Sequence, residues 1–462
     1  MAPRPNPTLR MALLAMTLAL PAVSRAQDVE VIGSMPEDGI PALKRILEAA
    51  MKQSPTMIQS EINVAQAEAN VYAGDHSLWP NFGANGNYGT NRSATAGGAS
   101  SAASGLYYNV GMGQPLFSWG ALANQSRIGR IGLLMARRSF DEAYRQLAVG
   151  LREQYMSLIL KKLSLRNARF ALGLAQHRFD VTNQQYSRGE VSRADYGGAW
   201  SGADNANLGV AQAEEDFDSS LRAFQTLAGA KSITEADIPN SIPKPIYNPS
   251  LAAALLAELQ RDHATSTFQA QYLEMQIHQA DLGYKIAKVG LLPKLWFNSG
   301  YGVSNSVNAS SSQISQSQVD TLTYGASVQW NIFDGFATRG AKLSALASKR
   351  LSQQQLENYT EATVAQAEHM VRTMKITEHI LQNADDGAKY ANERFQAQST
   401  ELKLGNIPPG NIPLAQQDAY NAESQSMASR AGMYTQWIEF VSLVGRDPAL
   451  NHLPQSYVRE NP

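Results

Sequence analysis

Two hydrophobic periods run along the chain, one of two residues and one of three to four. Four short segments carry the first. Phe82, Ala84, Gly86 and Tyr88 share one face against Asn81, Asn85 and Asn87, and Tyr108, Val110 and Met112 oppose Tyr107, Asn109 and glycines. Leu295, Phe297, Tyr301 and Val303 oppose Trp296, Asn298 and Gly300. Leu322, Tyr324, Ala326, Val328, Trp330 and Ile332 oppose Thr321, Thr323, Ser327, Gln329 and Asn331. Successive strand side chains point to opposite faces. The pattern therefore predicts strands over about 81–91, 106–115, 295–304 and 321–332. The second face is polar and almost uncharged, as expected of a wet lumen opposite a lipid face. An ordinary half-buried antiparallel sheet gives the same alternation. Between the strands of each pair, "RSATAGGASSAASG" and "SNSVNASSSQISQSQ" read as long exterior loops of small polar residues.

The helical period dominates elsewhere. No proline occurs between Pro115 and Pro239 or between Pro293 and Pro408, and proline costs a helix interior about 3 kcal/mol. One helix is expected from Ala121 to about Arg188, or about 100 Å at about 1.5 Å per residue. The mean globular helix has only about 11–12 residues. Leu147, Leu151, Leu158 and Leu165 keep a heptad-like spacing, the mark of helices packed along a shared seam.

The chain repeats itself. An offset of 216 residues (333 − 117) aligns Phe117 with Phe333, Arg178-Phe179 with Arg394-Phe395, Gly189 with Gly405, Leu227 with Leu443 and Gly229 with Gly445. Upstream, Pro80 and Pro293 differ by 213. The predicted organisation is a segment 1–26 to be removed, a first repeat over 27–230, a linker over 231–250, a second repeat over 251–446 and a tail over 447–462. Each repeat comprises a helical approach, a strand hairpin, a long helix, a tip at Gly189 or Gly405, and a returning helix.

Composition narrows the class. Lys+Arg 39 against Asp+Glu 40 leaves the chain nearly neutral, which gives no bulk attraction to nucleic acid. Charged residues make up 17%, below the roughly 25% typical of globular domains. Cysteine is absent, excluding disulfides, thiolate metal sites and a lipid-modified N-terminal cysteine. The start, "MAPRPNPTLRMALLAMTLALPAVSRAQ", has a basic end, an apolar run from Met11 to Leu20 and small residues before Gln27. That layout predicts a secretory signal peptide over 1–26. No later apolar run reaches the roughly 18 residues of a membrane-spanning helix, so any span is expected to be built of strands.

The duplicated "QPLFSWG" and "WNIFDGF" transitions resemble the TolC family of outer-membrane efflux and secretion proteins, as do the turns "RF…YSRGEVSRAD" and "RF…LKLGNIPPGN". The resemblance covers nearly all of the chain after residue 26 and points to the unlipidated type. It implies a mixed, mostly helical α/β fold and a homotrimer. Twelve strands would form a β-barrel in outer-membrane lipid, continued by an α-helical barrel across the periplasm. A periplasmic adaptor and an inner-membrane pump of the ABC or RND type would be its partners, in drug efflux or type I secretion. No nucleic acid, cofactor or catalysis is implied.

The tips carry function in that family. By resemblance, Gly189, Val191 and Ser192 with Gly405, Ile407 and Pro408 face the adaptor. Asp195, linked to Arg188, Arg193 or Tyr186, resembles a tunnel-entrance acid, and Asn411 takes the same place in the second tip. Local chemistry offers another role, with Ser192 as an N-cap and Asp195 in the first helical turn. Pro408 and Asn411 depart from the hydroxyl and acid of the first tip, so a ring of acids is not expected from the second repeat.

Other chemistry is weak. The seven histidines form no metal-ligand spacing, Gly111-Met-Gly113 is a lone GxG, and no nucleophile–base pattern suggests a hydrolase. The rival to an exit duct is a soluble periplasmic coiled-coil scaffold, which would leave the aromatic strands unexplained.

Overall fold

The computed structural model describes residues 35–94, 100–309, 313–408 and 410–453. The expected signal peptide, Pro409 and the tail from residue 454 lie outside them. Two short helices, α1 (Pro36–Gly39) and α2 (Pro41–Gln53), precede α3 (Pro55–His76), then strands β1 (Asn81–Ala94) and β2 (Ser100–Phe117). Helices α4 (Ala121–Ser187) and α5 (Arg193–Ala228) complete the first half. The second half runs α6 (Pro249–Arg261), α7 (Phe268–Lys288), β3 (Lys294–Ala309), β4 (Ile314–Gln329), α8 (Ala337–Lys403) and α9 (Asn411–Leu443).

The duplication is geometric as well as sequential. Helices α4 and α8 each have 67 residues, and both ends keep the offset of 216. Each is entered through two consecutive residues in the left-handed region, Trp119-Gly120 (φ 54 and 78°) and Gly335-Phe336 (φ 63 and 67°). Only one of the two positions is glycine in each case, and its place is exchanged between repeats. The non-glycine residue pays about 1–2 kcal/mol for that conformation. Just before this switch, Gln114 Nε2 donates to the Leu78 carbonyl (2.6 Å) and Trp330 Nε1 to the Leu291 carbonyl (3.1 Å). Gln114 and Trp330 differ by 216, Leu78 and Leu291 by 213, so one hydrogen bond is built twice from different donors.

The strands form one antiparallel sheet in the order β1-β2-β3-β4. Its register puts the four apolar faces together: Ala84 opposes Val110, Val110 opposes Tyr301, and Tyr301 opposes Leu322. All four strands run further outward than the alternation marks. Residues expected as loops, 92–94 and 100–105 in the first hairpin and 305–309 and 314–320 in the second, continue the ladder. Backbone pairing needs no apolar side chain, and with both faces polar the alternation falls silent while the hydrogen bonds go on. At the other end β4 stops at Gln329 rather than at 332. There Asp334 accepts from the Thr338 backbone N–H at 2.8 Å and caps the first turn of α8.

Helices follow the strands they join. In the half nearer the sheet they pack in the order α3-α4-α7-α8, matching β1-β2-β3-β4; in the half nearer the tips the order is α5-α4-α9-α8. Leu147, Leu151, Leu158 and Leu165 are buried, as the heptad spacing predicts. The linker is docked, with Ile233, Ile238 and Ile242 in the core and Tyr155 Oη donating to the Asp237 carbonyl at 2.7 Å.

An ion-pair cluster that the sequence pattern does not reveal closes the core. Arg152 and Asp447 are fully buried and paired at 2.5 Å, and Glu37 holds the other side of the guanidinium. Burial alone would depress the Arg152 pKa, but the field and hydrogen bonds of Asp447 and Glu37 raise it. The cluster ties α1 and the segment after α9 to the middle of α4.

Two stability predictions follow from this packing. Asp447→Asn strips one charge from a buried pair and should cost about 3–5 kcal/mol, read as a lower melting temperature. Gly229→Ala would place a Cβ 2.3 Å from the Gln53 carbonyl oxygen at a φ of +68°. It should destabilise by more than the roughly 1–2 kcal/mol of the left-handed conformation alone.

Candidate functional site at the helix tips

At the first tip α4 ends on Gly189 (φ 73°). The Gly189 N–H donates to the Tyr186 carbonyl and the Glu190 N–H to the Gln185 carbonyl, each at 2.9 Å. Only a residue free to adopt positive φ closes the helix this way. Ser192 and Asp195 then form a reciprocal capping box. The Asp195 N–H donates to Ser192 Oγ (3.1 Å), while the Ser192 N–H (3.1 Å) and hydroxyl (2.6 Å) donate to Asp195 Oδ2. The side-chain and then the backbone hydrogen bond from Ser192 hold the Asp195 carboxyl below the ordinary aspartate range.

The links expected for Asp195 are drawn differently. Tyr186 stacks on Tyr196 (4.9 Å between centroids, 27°), and Phe179 packs on the same ring. Among the described residues neither Arg188 nor Arg193 forms an ion pair with Asp195; both are exposed, as is Gly189, while Val191 is half-buried.

The second tip repeats the helix end but not the helix start. Gly405 (φ 80°) closes α8, with its N–H on the Leu402 carbonyl and the Asn406 N–H on the Glu401 carbonyl. Ile407, half-buried, takes the place of Val191. Pro408 stands where Ser192 offers its hydroxyl, so no side chain caps α9. The helix begins at Asn411, two residues later than the offset requires, with the Asn411 N–H on the Pro408 carbonyl at 3.3 Å. Asn411 is a first-turn residue rather than a cap. Around this tip Leu404 and Leu414 are exposed apolar residues that motif reasoning passes over.

Among the described residues no hydrogen bond, ion pair or ring contact joins the two tips. The polar cross-connection between α4 and α9 nearest the tips is a cluster at Tyr420. Arg166 pairs with Glu423 (2.7 Å) and lies 4.5 Å over the Tyr420 ring, Asn167 donates to Ser424 Oγ (2.9 Å), and Phe170 meets Tyr420 edge-on. Arg166 is 21 residues (187 − 166) above the end of α4, or about 31 Å. Nearer the tips, bonds among the described residues stay within a hairpin, as in Arg394–Asp418.

At the opposite end, the polar face of the sheet is made mainly of Asn, Gly, Ser and Thr, with Tyr107, Trp296 and Val319 among them, and its one charged residue among the described strand positions is Lys294, at the helix end of β3. Asn109 and Tyr107 lie across Gly302, where a Cβ would meet Asn109 Nδ2 at 3.2 Å. No described helix is long and apolar enough to cross a membrane. No group of three or more described His, Asp or Glu side chains is placed to hold a metal.

Comparison with known proteins agrees with this architecture. The family model described as outer membrane efflux protein matches residues 46–230 and 249–446. None of the curated proteins is similar enough in sequence to match. Among solved structures, the Campylobacter jejuni CmeC outer membrane channel is similar over 96% of this chain and 94% of its own, at 15% identity and a TM-score of 0.66. The outer membrane protein VceC of Vibrio cholerae is similar over 90% and 99% (13% identity, TM-score 0.61). The open state of the Neisseria gonorrhoeae MtrE outer membrane channel is similar over 91% and 97% (16%, 0.56). These likenesses carry the fold, and the family model, matching most of the sequence in two stretches, carries the kinship: the chain belongs to the outer membrane efflux protein family.

Proposed function

We propose that three copies of this chain close into an outer-membrane efflux duct. Their twelve strands would form the barrel and their helices a periplasmic tunnel, acting without catalysis of their own. The observation that carries this reading is the pair of unfinished edges on the single chain. Strands β1 and β4 are paired on one side only, and open edges are not tolerated in lipid. Four strands are too few for a barrel, since membrane barrels start at about eight.

The helices have matching edges. The exposed apolar residues Leu343, Leu351, Ile376, Ile380 and Tyr390 of α8 fall within about 100° of one another around the helix. On the opposite edge, Ile58, Ile62 and Tyr72 of α3 and Trp200 and Leu208 of α5 are exposed as well. Tyr72 and Ile62 lie near the level of Leu343 and Leu351, and Leu208 near that of Tyr390, counting residues from the sheet and from the tips. A neighbouring copy supplies the missing partner for each stripe. A soluble coiled-coil scaffold would leave both the stripes and the aromatic strands uncovered.

In the assembled duct the tips form the entrance. Gly189, Val191, Ser192, Gly405, Ile407 and Pro408 face an adaptor, while Asp195, with Arg188, Arg193, Tyr186 and Asn411 around it, lines the constriction. Because no hydrogen bond or ion pair among the described residues joins the tips of a chain below the Tyr420 cluster, a partner that separates them breaks few polar contacts. An adaptor and an inner-membrane pump supply that push, and the duct stays passive.

Ile376→Asp and Leu351→Asp test the edges: each residue is exposed in one chain, so either change should be mild in a monomer but prevent trimers. Size-exclusion chromatography with light scattering should show the shift, and trimers persisting in both variants would refute the pairing. Asp195→Asn against Ser192→Ala separates charge from capping. The first should lower cation selectivity in planar bilayers; the second should keep it while costing about 1 kcal/mol of cap. Because the Asp195 pKa is lowered, its charge and selectivity should persist as pH falls through the usual aspartate range and be lost only below it. Equal selectivity in both variants would leave capping as its sole role.

A further inference from the structure

The strands are longer than a membrane needs. They have 14, 18, 16 and 16 residues, against about 9–11 for a transmembrane strand. Their outward-facing side chains change character part of the way along. Moving away from the helices, the last member of the apolar run on that face, which is broken once, by Ser299 in β3, is Leu322 in β4, Val303 in β3, Leu106 in β2 and Tyr88 in β1. The next residues on the same face are Asp320, Asn305, Ser104 and Thr90, followed among others by Arg92 and Gln316. Val307 and Ile314 are the only apolar residues larger than alanine among the described positions of that face beyond the change.

The line joining these last apolar residues is oblique to the strands. A straight row of paired residues from Leu322 passes Tyr301 and Val110 and reaches Ala84. Tyr88 stands four residues beyond it (88 − 84), level with its partner Leu106 (110 − 106), and Val303 stands two beyond it (303 − 301). Four residues of about 3.3 Å over three strand spacings of about 4.8 Å make an angle of about 42°. Strands in membrane barrels are tilted by about 35–45° from the membrane normal. The line is therefore level when the strands stand at the tilt a barrel requires. At the same tilt the apolar face of β3, from Leu295 to Val303, is about 20 Å tall, before Trp79, Trp119 and Trp330 are added at its lower margin. Apolar bands of membrane barrels measure about 25 Å.

Resting on the membrane-spanning reading above, we infer that the acyl region of the bilayer ends at the line Tyr88–Leu106–Val303–Leu322. The outer five to seven residues of each strand then stand clear of the lipid as a hydrogen-bonded collar, projecting about 12–17 Å. Asp320 and Arg92, the charged residues on the outward face of the described strands, both lie beyond the line and stay in water. The lipid-contacting surface is thus confined to the half of the sheet nearer the helices.

The absence of cysteine makes the test direct. Single variants Val110→Cys and Leu322→Cys sample the band, and Ser104→Cys and Gln316→Cys the collar. Each full-length protein, reconstituted in phosphatidylcholine nanodiscs, is treated with a membrane-impermeant maleimide. The expected result is collar labelling within about threefold of the denatured protein and band labelling at least about tenfold slower. Protection at all four positions would overturn the collar while leaving the span intact. Rapid labelling at all four would overturn the membrane span itself, and the collar with it. Two positions per zone guard against one ill-folded variant.

Discussion

A strand in hydrocarbon must find a partner for every backbone N–H and C=O, and one chain here cannot provide them. That constraint organises the molecule. The sheet has four strands in the order of the sequence, each edge unpaired, and each strand continuous with a helix that keeps its place in the row. The deficit is inherited downward, because a layer open at β1 and β4 is also open at α3 and α5 on one side and at α8 on the other. Exposed apolar stripes on those helices are the soluble counterpart of the bare strand edges. The closure proposed above would satisfy both, with hydrogen bonds at one end and buried apolar area at the other.

The strand-to-helix switch was legible because it occurs twice. Phe117 and Phe333 locate it, and the equal spacing to the glycines at 189, 229, 405 and 445 fixes how far each helix runs before it turns. The geometry adds what letters hide. Trp119-Gly120 and Gly335-Phe336 look unlike as sequence, yet both pairs occupy the left-handed region. Gln114 and Trp330 share no chemistry beyond an N–H donor, yet each reaches the equivalent carbonyl. Duplication preserved backbone path and hydrogen-bond accounting, while side-chain identity drifted.

What was not legible has a common cause: the deciding partner is distant in sequence, or the signal is silent. The outer halves of the strands were read as loops because periodicity reports a difference between faces, and there both faces are polar. Arg152 looks like any helical arginine until Glu37 and Asp447, 115 and 295 residues away, converge on it. The capping box at Ser192 and Asp195 is local and was readable. The same locality shows why the second tip differs, since proline at 408 offers no hydroxyl and the helix starts late. The surroundings of Tyr186 were misjudged because its partner is an aromatic ring on the returning helix.

The two ends of the molecule differ in what motion costs them. In the sheet, separating neighbours breaks a ladder of backbone hydrogen bonds that lipid cannot replace. In the tunnel each helix satisfies its own backbone, so sliding one past another gives up only side-chain contacts. Those contacts are unevenly spread. Among the described residues, the hydrogen bonds and ion pairs that join α4 to α9 and to the segment after it run from Arg145 and Arg152 to the Tyr420 cluster, and over the last 30 Å or so they stay within a hairpin. The duct proposed above would have a fixed mouth in the membrane and a deformable one at the tips. In that duct, a partner acting at the tips would need to overcome only the side-chain terms, which places control of the passage at the helical end.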